Sequence, residues 1–319
     1  MRTLLDRTYF FALSLLTAAI PAGCDEPDGG FGGGADAAAR CVGCGIVFNT
    51  NAVNGLFFSA VDLTGDLHDI VIYKGAEIWH IPLTRIYAVD GELFGEVGET
   101  VYRGSRVVGM VIHIIAVIGK VEVKTDLTIV SADHSQGYWR YRVQYTDVAS
   151  NKEGIPTCEQ DEFGDASLVF YADISVDTAS GDVTDRSKTL YFGCVSGAVG
   201  KARTTPWRYA PYDPQVKLEG FETAIRVIRA DYCGDGVSYT KPGNKLQLRD
   251  QYGYHNFANQ AMNTEAVWAS GGGALCLDVP RWAGQVARAD VHCAAALPSC
   301  LSDAADYYAI GSIWTKIAP

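Results

Sequence analysis

Cysteine content constrains the fold of this chain most strongly, because its 319 residues contain nine cysteines. A cytosolic chain of this size has no obvious use for so many thiols, whereas exported proteins use them as disulfides. Eight of the nine follow residue 40, which is the number needed for four disulfides in an oxidising compartment. The disulfide candidates are Cys41, Cys44, Cys158, Cys194, Cys233, Cys276, Cys293 and Cys300.

The ninth cysteine ends a segment with the layout of an export signal. Two arginines, Arg2 and Arg7, flank its start, an apolar run covers residues 9–20, and small residues precede Cys24. This run is too short to span a membrane and is typical of a secretory signal peptide. The small-small-cysteine ending resembles the bacterial lipobox, which predicts that Cys24 is lipidated and becomes the first mature residue. Cleavage without lipidation, which leaves Cys24 as a spare thiol, is the alternative.

A flexible tether is expected directly after this cysteine. Residues 25–40 carry five glycines between positions 29 and 34 and almost nothing that packs. We therefore assign residues 1–23 to the signal peptide and residues 24–40 to a glycine-rich tether that carries the lipid.

Net charge and composition exclude two classes of protein. The chain has 26 lysines and arginines against 37 aspartates and glutamates, a net charge of −11, whereas a phosphate-backbone binder needs a basic face. Its 48% hydrophobic and 20% charged residues are typical of a folded protein and not of a disordered one. We expect a folded protein that does not bind nucleic acid.

Residues 41–150 have the pattern of a β domain. Trp139, Tyr141 and Val143 alternate with polar residues, which is the period-two signature of a half-buried strand. Residues 121–130 also fit a strand. The apolar run 107–118 is too short for a membrane span and predicts a strand buried on both faces. Frequent turns predict an all-β sandwich-like or barrel-like domain.

Residues 151–319 predict a second, α+β domain. Strands are expected over 167–176 and 189–192, and a helix over about 214–230. Asp213 suits the N-cap of that helix and Pro214 its first position. The apolar face of the helix consists of Leu218, Phe221, Ile225 and Ile228.

The remaining elements complete a mainly β, α+β fold. Two hairpins are expected, over residues 237–248 and 265–278, because glycine-containing turns separate short apolar runs there. A short helix at 302–308 and a last strand at 310–317 close the domain.

Residues 229–236 read RADYCGDG and resemble the signature of the ADYC domain, a family of bacterial secreted and lipid-anchored proteins with no assigned function. The likeness covers roughly residues 155–285 and includes the run at 194–201, Trp268 and Arg281. Ala202 and Ala224 stand where the family commonly has cysteines, which is what the loss of one disulfide would look like. The signature residues are Ala230, Asp231, Tyr232, Cys233, Gly234, Asp235 and Gly236.

A structural role is the first interpretation of this signature. Asp231 follows the negative end of the helix dipole, so it needs a partner: Arg229, or backbone N–H groups of the Cys233-Gly234 turn. Asp231 and Tyr232 would then brace the turn while Cys233 joins it to Cys276. Local spacing also favours disulfides within the pairs Cys41/Cys44 and Cys293/Cys300.

Catalysis is the second interpretation. Cys233 could act as a nucleophile with His255 or His292 as base, oriented by Asp231 or Asp235. Acid–base chemistry by a pair among Asp231, Asp235 and Glu265 is a further hypothesis. The hypothesis that Cys41 and Cys44 form a redox-active pair also remains open.

Metal binding receives little support from the spacing of the candidate ligands. Asp231, Asp235 and Asp250 lack the spacing of a known calcium loop, so a solvated turn is preferred. Cys41 and Cys44 have no second close pair to complete a zinc site, and the six histidines show no ligand spacing. We expect neither a metal nor a cofactor.

Two aromatic clusters have two interpretations, packing over the β core or a rim that contacts a glycan or a protein. They consist of Trp207, Tyr209 and Tyr212, and of Tyr252, Tyr254 and Phe257.

Together, these observations predict an exported lipoprotein of the bacterial cell envelope, periplasmic or surface-facing, that is a non-catalytic binding or structural module. Its expected partners are the membrane, through the lipid, and an envelope protein or glycan. The alternative is a hydrolase that acts on envelope polymers or peptides.

Overall fold

The computed structural model describes residues 46–48, 50, 52–53, 60–62, 68–74, 77–118, 121–147, 152–257, 263–282, 285–300 and 309–317. The described residues all belong to one unit, Asp36–Pro319. Cys24, Cys41, Cys44, the tether and the helix expected at 302–308 lie outside the described residues. In the part of the chain that the structure describes, no helix is long and apolar enough to cross a membrane.

The described residues form seventeen strands and two α-helices, with short 3-10 helices at Gly104–Val107 and Arg288–Asp290. The first strands are β1 (Ile46–Phe48), β2 (Ala60–Asp62), β3 (His68–Lys74), β4 (Glu77–Pro82), β5 (Arg85–Val89), β6 (Glu92–Val97), β7 (Thr100–Arg103), β8 (Met110–Ile118), β9 (Val121–Asp133) and β10 (Arg140–Asp147). They are followed by β11 (Lys152–Pro156), β12 (Leu168–Val176), β13 (Val183–Cys194), α1 (Ala198–Arg203), α2 (Lys217–Arg229), β14 (Lys245–Asp250), β15 (Asn263–Trp268), β16 (Ala274–Leu277) and β17 (Ile313–Ile317). The predicted mainly β, α+β fold class is confirmed.

The strands form three antiparallel sheets. A nine-stranded sheet has the order β2-β13-β12-β10-β9-β8-β3-β4, with β11 paired to β10. A five-stranded sheet has the order β1-β14-β17-β15-β16, and β5, β6 and β7 form the third sheet. Strands from both sides of residue 150 pair within the nine-stranded sheet, so the domain boundary expected there falls inside a continuous sheet.

Strand β10 shows why the period-two pattern predicts this sheet. Tyr141 and Val143 are buried, whereas Arg142 between them is exposed. The apolar run at 107–118 contains strand β8, and Met110 and Ile112 in this strand are fully buried. Both predicted strands form, and burial on both faces of β8 is seen at Met110, Val111 and Ile112, while the side chains after Ile112 in this strand lie outside the described ones.

Helix α2 begins later than the sequence predicts. It starts at Lys217 and not at Pro214, and the Asp213 carboxylate accepts the N–H of Gln215 at 2.9 Å within a preceding turn. Lys217 has a positive φ of 57°, a left-handed conformation that interrupts a continuous right-handed helix. Asp213 therefore caps the turn and not the helix.

Three of the four residues predicted for the apolar face of α2 are buried, and the fourth, Leu218, is partly buried. Phe221, Ile225 and Ile228 have no exposed surface, and α2 contacts β13 of the nine-stranded sheet and β17 of the five-stranded sheet. Tyr171 and Trp268, from the two sheets, belong to the same buried cluster. Helix α2 therefore lies between two sheets, which positions its C-terminal end in the interior.

One of the two predicted hairpins is confirmed. Strands β15 and β16 pair at residues 265–278, and the predicted last strand is β17, between β14 and β15. The prediction of a hairpin at 237–248 is wrong. Residues 245–248 belong to β14, which pairs with β1 and β17, whereas residues 237–244 do not form a strand. Tyr239 instead stacks on Tyr232, with 5.8 Å between ring centroids, so tertiary packing overrides the local turn signal.

Three disulfides lie within the described residues: Cys158–Cys194, Cys233–Cys293 and Cys276–Cys300. The expected pairings of Cys233 with Cys276 and of Cys293 with Cys300 are wrong. Cys276 lies on β16 in a small buried cluster that contains Cys300, whereas Cys233 lies in the turn after α2, near the segment that holds Cys293. Three disulfides indicate an oxidising, extracellular or periplasmic environment.

Candidate functional site

The signature begins where α2 ends. Ala230 adopts a left-handed conformation with φ of 53°, which terminates the helix and turns Asp231 into the interior. Asp231 Oδ2 lies 3.0 Å from Nη1 of Arg226 and 4.0 Å from Nη1 of Arg229. The carboxylate also accepts N–H groups from Asp235 at 3.2 Å and Gly236 at 3.0 Å. The expected partner Arg229 is thus the more distant of two arginines.

Burial dominates the electrostatics of this carboxylate. It raises the pKa of Asp231, while the Gly236 N–H and the charges of Arg226 and Arg229 act in the opposite direction. Arg226 is itself held by two further carboxylates, with Nη2 at 2.7 Å from Glu222 and 2.5 Å from Asp182. Asp231 is therefore part of a buried ionic network and has no access to a substrate.

Tyr232 belongs to a second buried network. Its hydroxyl donates to Glu265 Oε1 at 2.7 Å and accepts the backbone N–H of Arg281 at 2.7 Å. The Arg281 guanidinium contacts Glu265 and donates to the carbonyl oxygens of Val227 at 2.5 Å and Ile228 at 3.2 Å. The last carbonyls of a helix lack intrahelical donors, so Arg281 supplies what the C-terminal end of α2 requires.

The two signature glycines permit close backbone approaches. Gly234 and Gly236 have positive φ values of 69° and 89°. A Cβ on Gly234 would lie 2.9 Å from the backbone nitrogen of Gly273, and one on Gly236 would lie 2.5 Å from the carbonyl oxygen of Ala179. Both positions therefore require glycine for conformation and for space.

Cys233 lies at a partly exposed corner. It is bonded to Cys293, and its sulfur is 3.8 Å from Nδ1 of His292. Nε2 of that histidine pairs with Asp235 at 2.7 Å, and Nδ1 lies 2.6 Å from the Tyr239 hydroxyl. The structure thus brings together Cys233, His292 and Asp235 as the nucleophile hypothesis requires, but the disulfide removes the thiolate.

His255 makes a separate set of contacts. Its Nε2 lies 3.0 Å from the carbonyl oxygen of Trp207, and its ring is 5.7 Å from that of Tyr209. Burial lowers the pKa of His255, with smaller opposing effects from the Trp207 carbonyl and Asp250. His255 is therefore a partly buried residue packed on Tyr209 in this structure.

The hypothesised carboxylates have separate partners in the structure. Asp231 pairs with Arg226, and Glu265 pairs with Arg281. Asp250 accepts the Tyr209 hydroxyl at 2.9 Å. Within the described ranges, the one cluster with metal-ligand side chains consists of Cys233, Asp235 and His292.

The aromatic clusters are mostly packed into the interior. Trp207 and Tyr209 are buried, and Tyr212, Tyr252 and Tyr254 are partly buried against the same core. The ring of Tyr209 lies 5.9 Å from that of Tyr252 and 6.0 Å from that of Tyr254. These contacts favour packing over a recognition rim.

An open pocket of about 450 Å³ lies at the junction of β9, β10 and the loop before β12. Arg140, which lines it, donates through Nη1 to Asp165 at 2.7 Å and through Nη2 to Asp133. Its Nε is buried and has no hydrogen-bond partner among the described residues. The pocket is lined by Ser131, Asp133, Gln136, Arg140, Arg142, Phe163, Gly164, Asp165 and Ser167.

Two features give this pocket its chemistry. The Arg140 hydrogen bond lowers the pKa of Asp133 to about 2. Phe163 is 72% exposed at the rim, on a loop in which Asp161 Oδ1 accepts the N–H groups of Phe163 and Asp165 at 2.8 Å each. Sequence reasoning missed this pocket, although Arg140 and Arg142 lie on the polar face of the alternating strand.

These features define a class: disulfide-stabilised, mainly β proteins of an oxidising compartment, whose signature joins a buried structural segment, Ala230 to Tyr232, to a partly exposed turn. The family model described as the ADYC domain matches residues 104–283, more than half of the chain, and the chain belongs to the ADYC domain family. The match begins at residue 104 and not near 155, which includes β8 to β10. No curated protein and no solved structure matches the chain.

Proposed function

We propose that this protein is an exported, lipid-anchored module of the bacterial cell envelope that binds a neutral glycan without catalysis. The export signal, Cys24 and the glycine-rich segment at 25–40 support an anchored body on a flexible tether. The described disulfides support an oxidising location.

The observation that carries the binding proposal is the pocket around Arg140. Two arginines and two aspartates line it, so its charges balance and favour an uncharged ligand over an ion. Ionised groups held in fixed positions, together with serines and a glutamine, suit the many hydroxyl groups of a sugar. Exposed Phe163 offers a flat apolar surface for one face of a sugar ring.

The binding test uses the full chain and a series of soluble neutral and N-acetylated oligosaccharides, measured by isothermal titration calorimetry. We expect binding to the wild type and a loss of about tenfold in affinity for Phe163→Ala, which corresponds to roughly 1.4 kcal/mol. Ile310→Ala is the matched control, because Ile310 is an exposed apolar residue that does not line the pocket. Absence of binding by all the oligosaccharides, or full affinity in Phe163→Ala, would refute the glycan proposal.

A hydrolase is the alternative function, because Asp133 and Asp165 share this pocket. Glycoside hydrolysis requires one protonated carboxyl group as general acid, with a raised pKa. Arg140 instead lowers the pKa of Asp133, so a binding role agrees better with the charge arrangement. Release of reducing ends from the bound oligosaccharide, abolished in Asp165→Asn, would favour the hydrolase.

The anchoring proposal has its own test. Mass spectrometry of the N-terminal peptide should find a diacylated Cys24 in protein purified from membranes. Cys24→Ser should move the protein to the soluble fraction, whereas Cys158→Ser would not. An unmodified Cys24 in membrane-derived protein would refute lipidation and leave the glycan proposal unaffected.

A further inference from the structure

The three described disulfides differ in accessibility. Cys233 and Cys293 are both partly exposed. The other four described cysteines are no more than 5% exposed: Cys158, Cys194, Cys276 and Cys300. Reduction proceeds by attack of an external thiolate on a disulfide sulfur, so access decides which bond reacts. Of the three described disulfides, Cys233–Cys293 is therefore the one that an external dithiol reaches first.

The side chains around this bond are of types that ligate metals. Single ligand atoms of Cys233, Asp235 and His292 lie within 4.8 Å of one another, and Cys293 supplies a second sulfur. Nε2 of His292 pairs with Asp235 at 2.7 Å, which places the proton of the neutral ring on Nε2. Nδ1 then carries a lone pair, and it lies 3.8 Å from the sulfur of Cys233.

We propose that reduction of the Cys233–Cys293 disulfide converts this corner into a Zn²⁺ site. Both thiolates and Nδ1 of His292 are the protein ligands, and Asp235 orients the imidazole through Nε2. A carboxylate that accepts the N–H of the non-ligating ring nitrogen is a common support of histidine in metal sites. Two thiolates and an imidazole select Zn²⁺ over the oxygen-preferring Mg²⁺ and Ca²⁺.

The chemistry balances with a protein dithiol as reductant. Its two thiols pass two electrons and two protons to the Cys233–Cys293 bond and become a disulfide, and this chain gains two thiols. Zn²⁺ then displaces one proton from each thiol as the two Zn–S bonds form. Once the bond is reduced, the two sulfurs can separate to the spacing of a tetrahedral site. Their Cα atoms are 5.7 Å apart in the oxidised protein, so both sulfurs stay within reach of one metal ion.

The Tyr239 hydroxyl and the proposed zinc ion compete for Nδ1 of His292. Its hydroxyl lies 2.6 Å from Nδ1 of His292 in the oxidised protein, and zinc ligation would displace this hydrogen bond. Removal of the hydroxyl should therefore raise the affinity for zinc if Nδ1 is a ligand. Zinc bound by the thiols alone would not respond to this change. This inference does not depend on glycan binding or on lipidation.

The test titrates the full chain with dithiothreitol under argon, followed by alkylation and peptide mass spectrometry. Cys233 and Cys293 should be labelled first, while the other two described disulfides stay intact. The protein is then desalted and incubated with Zn²⁺, and metal is counted by plasma mass spectrometry. We expect one zinc ion per reduced chain and none in the oxidised chain, with an unchanged far-ultraviolet circular dichroism spectrum.

Variants separate this site from incidental thiol binding. Asp235→Asn should weaken zinc by about 10–100-fold, His292→Ala should weaken it more, and Tyr239→Phe should bind at least as tightly as the wild type. His134→Ala, an exposed histidine outside the cluster, should leave affinity unchanged. Prior reduction of another disulfide, unfolding on reduction, no bound zinc, or equal affinity in His292→Ala would each overturn the proposal.

Discussion

Arg281 and Glu265 form an ion pair in which both side chains are fully buried, with 2.9 Å between Nε and Oε1. The same guanidinium donates to the carbonyl oxygen of Val227 at 2.5 Å. One residue thereby joins strand β15 to the last turn of α2.

We predict that Arg281→Met lowers the free energy of unfolding by about 3–5 kcal/mol, because it leaves the Glu265 carboxylate buried without its countercharge. Urea denaturation followed by tryptophan fluorescence measures this loss. Arg85→Met should change little, since Arg85 is 64% exposed and 3.9 Å from Glu96. Similar midpoints for the two variants would contradict the assignment of Arg281 as a buried link.

Gly236→Ala should destabilise the signature turn far more than Gly253→Ala. Both glycines have positive φ, so both variants carry the conformational cost of about 1 kcal/mol or more. A Cβ on Gly236 would also lie 2.5 Å from the Ala179 carbonyl oxygen, whereas one on Gly253 would meet nothing within 4 Å. Equal losses in thermal midpoint would show that the close approach has no cost.

Tyr232→Phe should cost more stability than Tyr171→Phe. The Tyr232 hydroxyl makes two buried hydrogen bonds, to Glu265 and from Arg281, whereas the Tyr171 hydroxyl donates one, to the carbonyl of Val199 at 2.7 Å. Loss of a buried partner costs about 1–3 kcal/mol. Chemical denaturation of both variants tests this order, and the reverse order would refute it.

The Asp133–Arg140 pair should stabilise the fold only above acidic pH. The pKa of Asp133 is lowered to about 2 in the folded protein, against about 4 for an unfolded aspartate. A depressed pKa contributes stability that is present above the unfolded value and is lost as pH falls through the folded value.

The difference in thermal midpoint between wild type and Asp133→Asn should therefore be largest near neutral pH and should shrink between pH values of about 4 and 2. Asp177→Asn is a comparison in which arginine plays no part, because backbone N–H groups of Ser180 and Ala179 lower the pKa of Asp177. Asp133→Asn in an Arg140→Ala background should show a smaller pH-dependent difference. A difference that stays constant from neutral pH to pH 2 would contradict the role of Arg140.

Local sequence patterns predicted the elements that depend on local physics. Period-two alternation identified β10, and the apolar spacing at Phe221, Ile225 and Ile228 identified the buried face of α2. The start of α2 was predicted three residues too early, because the left-handed conformation of Lys217 cannot be inferred from its residue type. The hairpin at 237–248 failed because the packing of Tyr239 on Tyr232 outweighs a turn signal.

The sequence by itself determined the fold class, the family and the need for disulfides, since these follow from periodicity, motif and cysteine number. Tertiary structure alone decided how the six described cysteines pair, that Arg226 and not Arg229 is the nearer partner of Asp231, and that Arg140 lines a pocket. These outcomes depend on side chains distant in sequence, and Cys233 and Cys293 are 60 residues apart. Spacing along a chain carries no information about such distances until the sheets and α2 have packed.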